Sequence, residues 1–302
     1  MYERILVPLD GSNAAEIVLP YAEEIAARTG AEIILLSVSD PTTTGMDHLY
    51  RAYIERIAEQ VRRQIGDRGA GEKAKVRAEV LTGRAAAEIL RYIDESNVSL
   101  ITMAGRGSSG ERPWLLGNIA SKILQTVAKP VLLVRVPAGD TALKQKRLVK
   151  RILLPLDTSR AGEAAIPHAE ALARLLGAEV RLFHVLEPAP VPFLVAPGVE
   201  IAYPPVSAET EGRIAAAAVA YLQSVENTLT EKGITVSSEV SLGHPASEII
   251  RYAEANAIDL IAVSTHGRSG IGRWVYGSVT EKLLQAGSKP ILTVRAAKND
   301  GQ

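Results

Sequence analysis

Two glycine-rich loops and two proline–aspartate turns hold most of the chemistry that this sequence can offer. The first loop reads Met103-Ala104-Gly105-Arg106-Gly107-Ser108-Ser109-Gly110. The second, 160 residues on, reads Val263-Ser264-Thr265-His266-Gly267-Arg268-Ser269-Gly270. Each is followed by a glycine that opens a helix, as Gly117-Asn118 and Gly277-Ser278. Glycine lets a backbone turn tightly and bring its N–H groups close to a ligand. A helix N-terminus adds unbonded amides and about half a positive charge, which suits phosphate. Ser278 adds a hydroxyl donor there, and Arg268 a cation. A glycine–serine pair before a helix also serves as a plain cap with a turn, but its recurrence in the same setting favours anion binding, above all in the second loop.

The turns are Pro8-Leu9-Asp10 and Pro155-Leu156-Asp157. A carboxylate at a strand's end can accept from ribose hydroxyls or an adenine amine, or help hold a metal beside phosphates. It can equally cap the following helix. His266 and Arg106 are weaker candidates, and Trp114 and Trp274 read as packing residues. Gly105-x-Gly107-x-x-Gly110 matches the dinucleotide fingerprint only in spacing, since that motif belongs after a first strand. No phosphate loop of the Gly-x-x-x-x-Gly-Lys-Ser/Thr type occurs.

The elements that must position these groups come twice. Ile5-Leu6-Val7-Pro8-Leu9-Asp10 returns as Ile152-Leu153-Leu154-Pro155-Leu156-Asp157, an offset of 147. Gly83, Gly107, Trp114 and Lys129-Pro130 return at an offset of 160. A net insertion of 13 residues therefore lies between Val185 and Gly243, where the Pro-rich segment 187–206 stands as a lid or an interaction loop. Internal repeats of this kind set the architecture. The copies span 1–137 and 150–297, with 138–149 as a linker.

Within each copy, short apolar runs alternate with amphipathic stretches. Ile5–Leu9, Glu32–Val38, Val76–Val80, Leu100–Met103 and Val131–Val134 read as strands covered on both faces. One helix is predicted from the Ser12 cap to Arg28, stopping at Gly30, and another over 47–66 with Leu49, Tyr53, Ile57, Val61 and Ile65 on one face. A third runs over 85–96 and buries Ile89, Leu90 and Ile93; a fourth covers 118–127. The order β-α-β-α-β-α-β-α-β, twice over, predicts two tandem doubly wound five-stranded parallel sheets. Ligands in such sheets bind beyond the carboxyl ends of the strands, where strand order reverses. The apolar last strands, Val131–Val134 and Ile291–Val294, would pair the halves as an internal pseudo-dimer, and a homodimer of chains stays open.

Composition narrows the function classes. Lys plus Arg and Asp plus Glu both number 34, so no cationic surplus points to nucleic acid or an anionic membrane. Cys is absent, which removes thiolate catalysis, disulfides and Cys-ligated metals, and none of the five His residues forms an i, i+4 ligand pair. The start of the chain reads as lacking a signal peptide, and no apolar run reaches the roughly 18 residues of a span, so a cytoplasmic location is expected.

Each half resembles a universal stress protein domain, over nearly the whole chain outside the linker. The resemblance rests on the opening Ile-Leu-Val/Leu-Pro-Leu-Asp strand, the late Gly-x₂-Gly-x₉-Gly-Ser/Thr loop and the closing Lys-Pro-Val/Ile-Leu-x-Val strand. It implies a Rossmann-like fold of the adenine nucleotide alpha hydrolase-like type, ATP as ligand, Mg²⁺ carried by the phosphates, and a role in the stress response. For the second half it implies a site of Pro155, Leu156, Asp157, the Val185 backbone, Val263, Ser264, Gly267, Gly277, Ser278 and Val279. For the first half it implies Pro8, Leu9, Asp10, Val38, Met103, Ala104, Gly107, Gly117, Asn118 and Ile119. Ser264 departs from the motif's first Gly in the second half. Ala104 and Asn118 both depart in the first, so the second site is expected to bind ATP better.

No general base is poised on a substrate water, so a nucleotide-responsive regulatory module is expected rather than an enzyme, with slow ATP hydrolysis left open. Two other readings stand beside it: a structural or interaction protein with vestigial pockets, and an adenylate-forming or nucleotidyl-transferring enzyme, for which no further signature is found.

Overall fold

Side-chain alternation along the strands decides which layer each residue joins. In the computed structural model, which describes residues 1–42, 47–67, 75–105, 116–135, 148–188, 193–196, 199–201, 207–265 and 276–296, β1 (Arg4–Pro8) turns Ile5 and Val7 to one face and Leu6 to the other. β2 (Glu32–Ser39) does the same with Ile33 and Leu35 against Ile34 and Leu36, and all seven side chains are buried. Both faces must then be covered, as in any parallel sheet.

The first half continues with α1 (Asn13–Glu16), α2 (Leu19–Thr29), α3 (Asp47–Asp67), β3 (Val76–Thr82), α4 (Ala85–Glu95), β4 (Leu100–Ala104), α5 (Asn118–Thr126) and β5 (Val131–Val134). The second runs β6 (Arg151–Pro155), a 3-10 turn over Gly162–Ala165, α6 (Ile166–Leu176), β7 (Glu179–Leu186), β8 (Phe193–Ala196), β9 (Val199–Ile201), α7 (Ala208–Glu231), β10 (Val236–Leu242), α8 (Pro245–Ala255), β11 (Leu260–Ser264), α9 (Ser278–Ala286) and β12 (Ile291–Val294). Helices α2, α3, α6 and α7 cover one face; α4, α5, α8 and α9 cover the other.

Local chemistry sets the ends. The Ser12 hydroxyl caps α1 by accepting from Ala15 N, and Ser207 caps α7 by accepting from Thr210 N. Gly30 and Gly177 end α2 and α6 in the left-handed region, at φ 72° and 62°. The single helix expected from Ser12 to Arg28 is broken: Pro20 has no N–H to give, so α1 stops at Glu16 and α2 begins anew. Pro167 sits at the same place in the second half, after the 3-10 turn. On α3, Ile54, Ile57, Ala58, Val61 and Ile65 are buried but Leu49 is exposed. Spacing by four drifts about 40° per step around a helix, so a stripe of five such residues turns away from the core at one end. Leu90 is only half-buried, beside the buried Ile89 and Ile93. The Pro-rich insertion holds the antiparallel pair β8–β9, which the sequence did not announce.

The two expected five-stranded sheets are fused into one. Strand order is β10-β7-β6-β11-β12-β5-β4-β1-β2-β3, parallel within each half and antiparallel only where β12 meets β5. There Ile291 faces Leu133, Leu292 faces Leu132 and Thr293 faces Val131. The core on each face contains residues of both halves. Three contacts reinforce the seam: Thr293 Oγ1 donates to Val131 O at 3.3 Å, Leu148 N donates to the buried Glu24 at 3.0 Å, and the Tyr2 hydroxyl shares a 3.0 Å hydrogen bond with His168 Nδ1. Among the described residues no helix is long and apolar enough to cross a membrane.

Two outcomes test the seam. Leu292→Ala removes a fully buried side chain at its centre and is expected to cost about 2–5 kcal/mol, read as a lower urea midpoint at unchanged slope. Burial lowers the His168 pKa. The unfolded chain, titrating near about 6.5, therefore takes up this proton first as pH falls. Stability is then complete above that pH and declines below it. His168→Gln, which keeps a polar partner for Tyr2, should flatten this acid-side decline in a pH series of thermal melts; an unchanged slope would refute the assignment.

Candidate functional site

Strand order reverses between β1 and β4 and again between β6 and β11, and a cavity opens beyond the carboxyl ends at both points, as such sheets lead one to expect. The second-half cavity has a volume of about 220 Å³ and the first-half cavity about 360 Å³.

The second-half cavity begins where β6 ends, at Pro155, Leu156 and Asp157. Leu156 N donates to Phe183 O at 2.9 Å, which ties the turn to β7. Asp157 Oδ1 accepts from Ser159 N at 3.1 Å and Ser159 Oγ at 2.6 Å, and Ser159 Oγ in turn accepts from Gly162 N. The carboxylate therefore does not meet the amide of Gly162 itself; it orients the serine that does. A Cβ on Gly162 would lie 2.4 Å from Asp157 Oδ1, so only glycine admits the carboxylate at this depth. Thr158 holds φ 66° where the first half has Gly11 at φ 83°. A β-branched residue in that region costs about 1–3 kcal/mol, and the tight Asp157–Ser159 turn maintains it.

Val185 from β7, with Ile249 from α8 and Val263 from β11, forms the apolar wall. Ser264 is buried, and its carbonyl accepts from Thr280 Oγ1 at 2.8 Å, which fastens α9 to the end of β11. Thr265 N donates to Val294 O and Gly277 N to Thr265 O, both at 2.8 Å, so the glycine-rich loop leaves and returns at one fixed place. Gly277 is the N-cap of α9 and brings no side chain to bond the free amides of the first turn. Ser278, Val279 and Thr280 follow at the cavity's rim. Gly267 and Arg268 lie outside the described residues, as do Gly107, Arg106, His266, Trp114 and Trp274.

The first-half cavity repeats the arrangement with Pro8, Leu9, Asp10, Val38, Met103, Ala104, Gly117, Asn118 and Ile119. Asp10 Oδ1 accepts from Ser12 N at 3.1 Å and Ser12 Oγ at 2.6 Å. Ala15 stands where the second half has Gly162, and Asp10 is exposed whereas Asp157 is half-buried. Ala120 stands in place of Thr280, so no hydroxyl ties α5 to β4.

Two features escaped the sequence. His184 is buried at the second cavity, and its Nδ1 lies 2.7 Å from Leu156 O. A carbonyl only accepts, so Nδ1 carries the proton. Ser37 occupies the matching place in the first half, so the repeat carried no signal for His184. Secondly, the Tyr221 hydroxyl donates to Glu163 at 3.0 Å, and Tyr53 donates to Glu16 at 3.1 Å. Burial first, then the adjoining Glu163, then Asp157 push the Tyr221 phenol well above its ordinary range. Glu16 and Glu163 do recur at offset 147, but Tyr53 on α3 and Tyr221 on α7 stand 168 residues apart and fall out of step with both offsets. Among the described residues no three His, Asp or Glu side chains gather as a metal site.

The sequence profile described as the universal stress protein family matches residues 1–135 and 149–295. A universal stress protein of Mycolicibacterium smegmatis is 24% identical over 302 residues, covering 96% of each chain. Universal stress protein YxiE of Bacillus subtilis is 32% identical over 149 residues, spanning 45% of this chain and 100% of its own. The crystal structure of a universal stress protein from Archaeoglobus fulgidus superposes with a TM-score of 0.70 at 22% identity, covering 98% of this chain and 100% of that one, a likeness that speaks for the fold. With the profile spanning both halves and a relative matched from end to end, the chain belongs to the universal stress protein family, as a tandem member.

Proposed function

We propose that the chain is an ATP-binding regulatory module of the stress response, acting in the cytoplasm, with the better nucleotide site in its second half. It is read as two units, 1–137 and 150–297, joined by 138–149. The observation that carries the reading is the convergence of Asp157, an apolar wall of Val185 and Val263, and the uncapped start of α9 on one cavity at the switch point. The residues fit the ligand. The wall suits an adenine ring, Asp157 suits ribose hydroxyls or the adenine amine, and Gly277, Ser278 and Val279 offer amides to phosphates. Mg²⁺ would ride on the phosphate oxygens, with no cage of protein ligands.

The preference for the second half follows from pre-organisation, which lowers the ordering cost of binding. Gly162 lets Asp157 sit deep, and the Thr280–Ser264 bond holds α9 in place; the first half has neither. A regulatory role is supported by the engagement of Asp157, which lines the cavity, by the Ser159 hydroxyl. Arg268, Gly267 and Gly107 complete the two sites in this reading, with Asn118 taking the place of Ser278 in the first half.

Three measurements test it. Native mass spectrometry and calorimetry of the full chain are expected to give Mg·ATP binding at two unequal sites; no response at millimolar Mg·ATP would leave the vestigial-pocket reading standing. Ser278→Asp sets a carboxylate against the phosphates and is expected to weaken binding more than Asn118→Asp does, because the stronger site is hit. The reverse order would overturn the ranking. Gly162→Ala is expected to displace Asp157 and weaken the tighter site about tenfold, a loss of about 1.4 kcal/mol, with the fold retained by circular dichroism.

A further inference from the structure

The two cavities lie on opposite edges of the fused sheet, yet one pair of arginines touches the machinery of both. Arg135 follows β5 directly, and Arg295 holds the same place after β12. Arg135 Nη1 donates to Gly287 O at 3.1 Å, at the carboxyl end of α9. Arg295 Nη1 donates to Thr126 O and Val127 O at 3.3 and 3.4 Å, at the carboxyl end of α5. Each arginine thus caps the last helix of the other half, and the opposite end of that helix opens onto the other half's cavity.

Arg135 is also seated against the base of its own half's glycine loop, and Arg295 directly follows the residue that bonds the base of its own. A Cβ on Gly105 would meet Arg135 Cγ at 3.2 Å and Nε at 3.4 Å, so the side chain lies across that residue's backbone. Gly105 in turn accepts from Gly117 N, the cap of α5. In the second half, Thr265 bonds to Val294, immediately before Arg295, and accepts from Gly277 N, the cap of α9. Tyr276, just before that cap, feels the charge of Arg295, and its buried hydroxyl has no hydrogen-bond partner among the described residues.

We propose that Arg135 and Arg295 couple the two pockets: each fastens the loop base of its own pocket to the carboxyl end of the helix that opens onto the other. An anion bound in one pocket then changes the affinity of the other. The proposal rests on reading both cavities as nucleotide pockets.

The physical means are short and stiff. Helices α5 and α9 have nine residues each, so a pull at one end is delivered about 13 Å away as a displacement of the amides at the other. A cation at the carboxyl end and an anion at the amino end also complement one helix dipole. Arg135 has a second arrangement within reach. Its Nη2 is buried without a partner among the described residues, and burial lowers its pKa to about 10. An unsatisfied buried donor of this kind is costly. An anion that displaces the backbone at Gly105 moves the Arg135 side chain lying across it, and with it the hydrogen bond to Gly287 O. The coupling acts equally in both directions, since linkage between binding sites is reciprocal.

The chain carries two Trp, one in each loop segment, at 114 and 274. Trp114→Phe leaves Trp274, three residues before Gly277, as sole reporter of the second pocket. In that background Mg·ATP is titrated with the first pocket intact and with it closed to anions by Asn118→Asp. Closing the first pocket is expected to change the second pocket's Kd about fivefold or more. The change should disappear in Arg135→Met and return in part in Arg135→Lys, which keeps the charge but loses the planar fork. An equal change in Arg135→Met, or none in the parent chain, overturns the coupling. If Trp274 does not respond to ATP, the nucleotide reading fails by itself and the ligand-free chain decides the mechanical link. There Arg135→Met must speed hydrogen exchange at Glu281 and Lys282, in the first turn of α9. An effect confined to the last turn before Gly287 would reduce the arginine to a local cap and overturn the link.

Discussion

Two apolar strands that cannot be left bare at a sheet edge govern the whole molecule. β5 and β12 are four residues each and buried throughout; unpaired, they would present free backbone groups and apolar side chains to any passing chain. Pairing them with each other removes both edges at once and leaves β3 and β10, with their more polar sequences, at the rims. Because the pairing is antiparallel while each half is parallel, the carboxyl ends of the two halves point opposite ways. The pockets therefore open on opposite edges of one sheet. The carboxyl end of each last helix is likewise brought to the end of the other half's last strand, within reach of Arg135 or Arg295.

The cores follow from the same junction. Leu132 and Val134 join the core on one face, Val131 and Leu133 that on the other, and each core runs on into the second half through β12. Cutting the chain at the linker would expose both. A duplicated domain has thus become a single packing unit, held further by Glu24 against the returning linker and by Tyr2 against His168.

Once the halves share one frame, their pockets can differ without loss of the fold. The second half gains Gly162, which admits a deep carboxylate, and Thr280, which pins α9 to β11; it tolerates Thr158 in a backbone region where the first half has glycine. The first half keeps Ala15, Ala120 and Gly11 at those places. These differences concern the stiffness of the site more than its outline, which is why both cavities are lined by corresponding residues.

Much of this was written in the order of residues. Repetition at offsets 147 and 160 identified two copies and the insertion inside the second, apolar runs marked the ten main strands, and glycines and Asp157 marked the strand ends. These signals are legible because strand burial, turn geometry and helix starts depend on neighbours within a few residues. Pro20 is legible too, and its missing N–H divides the one helix expected from Ser12 to Arg28 into two. Other features depend on chain brought together from far apart. His184 against Leu156, Tyr221 against Glu163, Asp157 against Gly162 and the crossed arginines carry no local pattern. The sequence by itself determined the strands, the repeat and the residues at the strand ends. The pairing of the two last strands was also expected from their apolar runs; only tertiary structure decided the antiparallel register in which they meet and which cation meets which helix, because that seam sets those meetings across more than a hundred and fifty residues of chain.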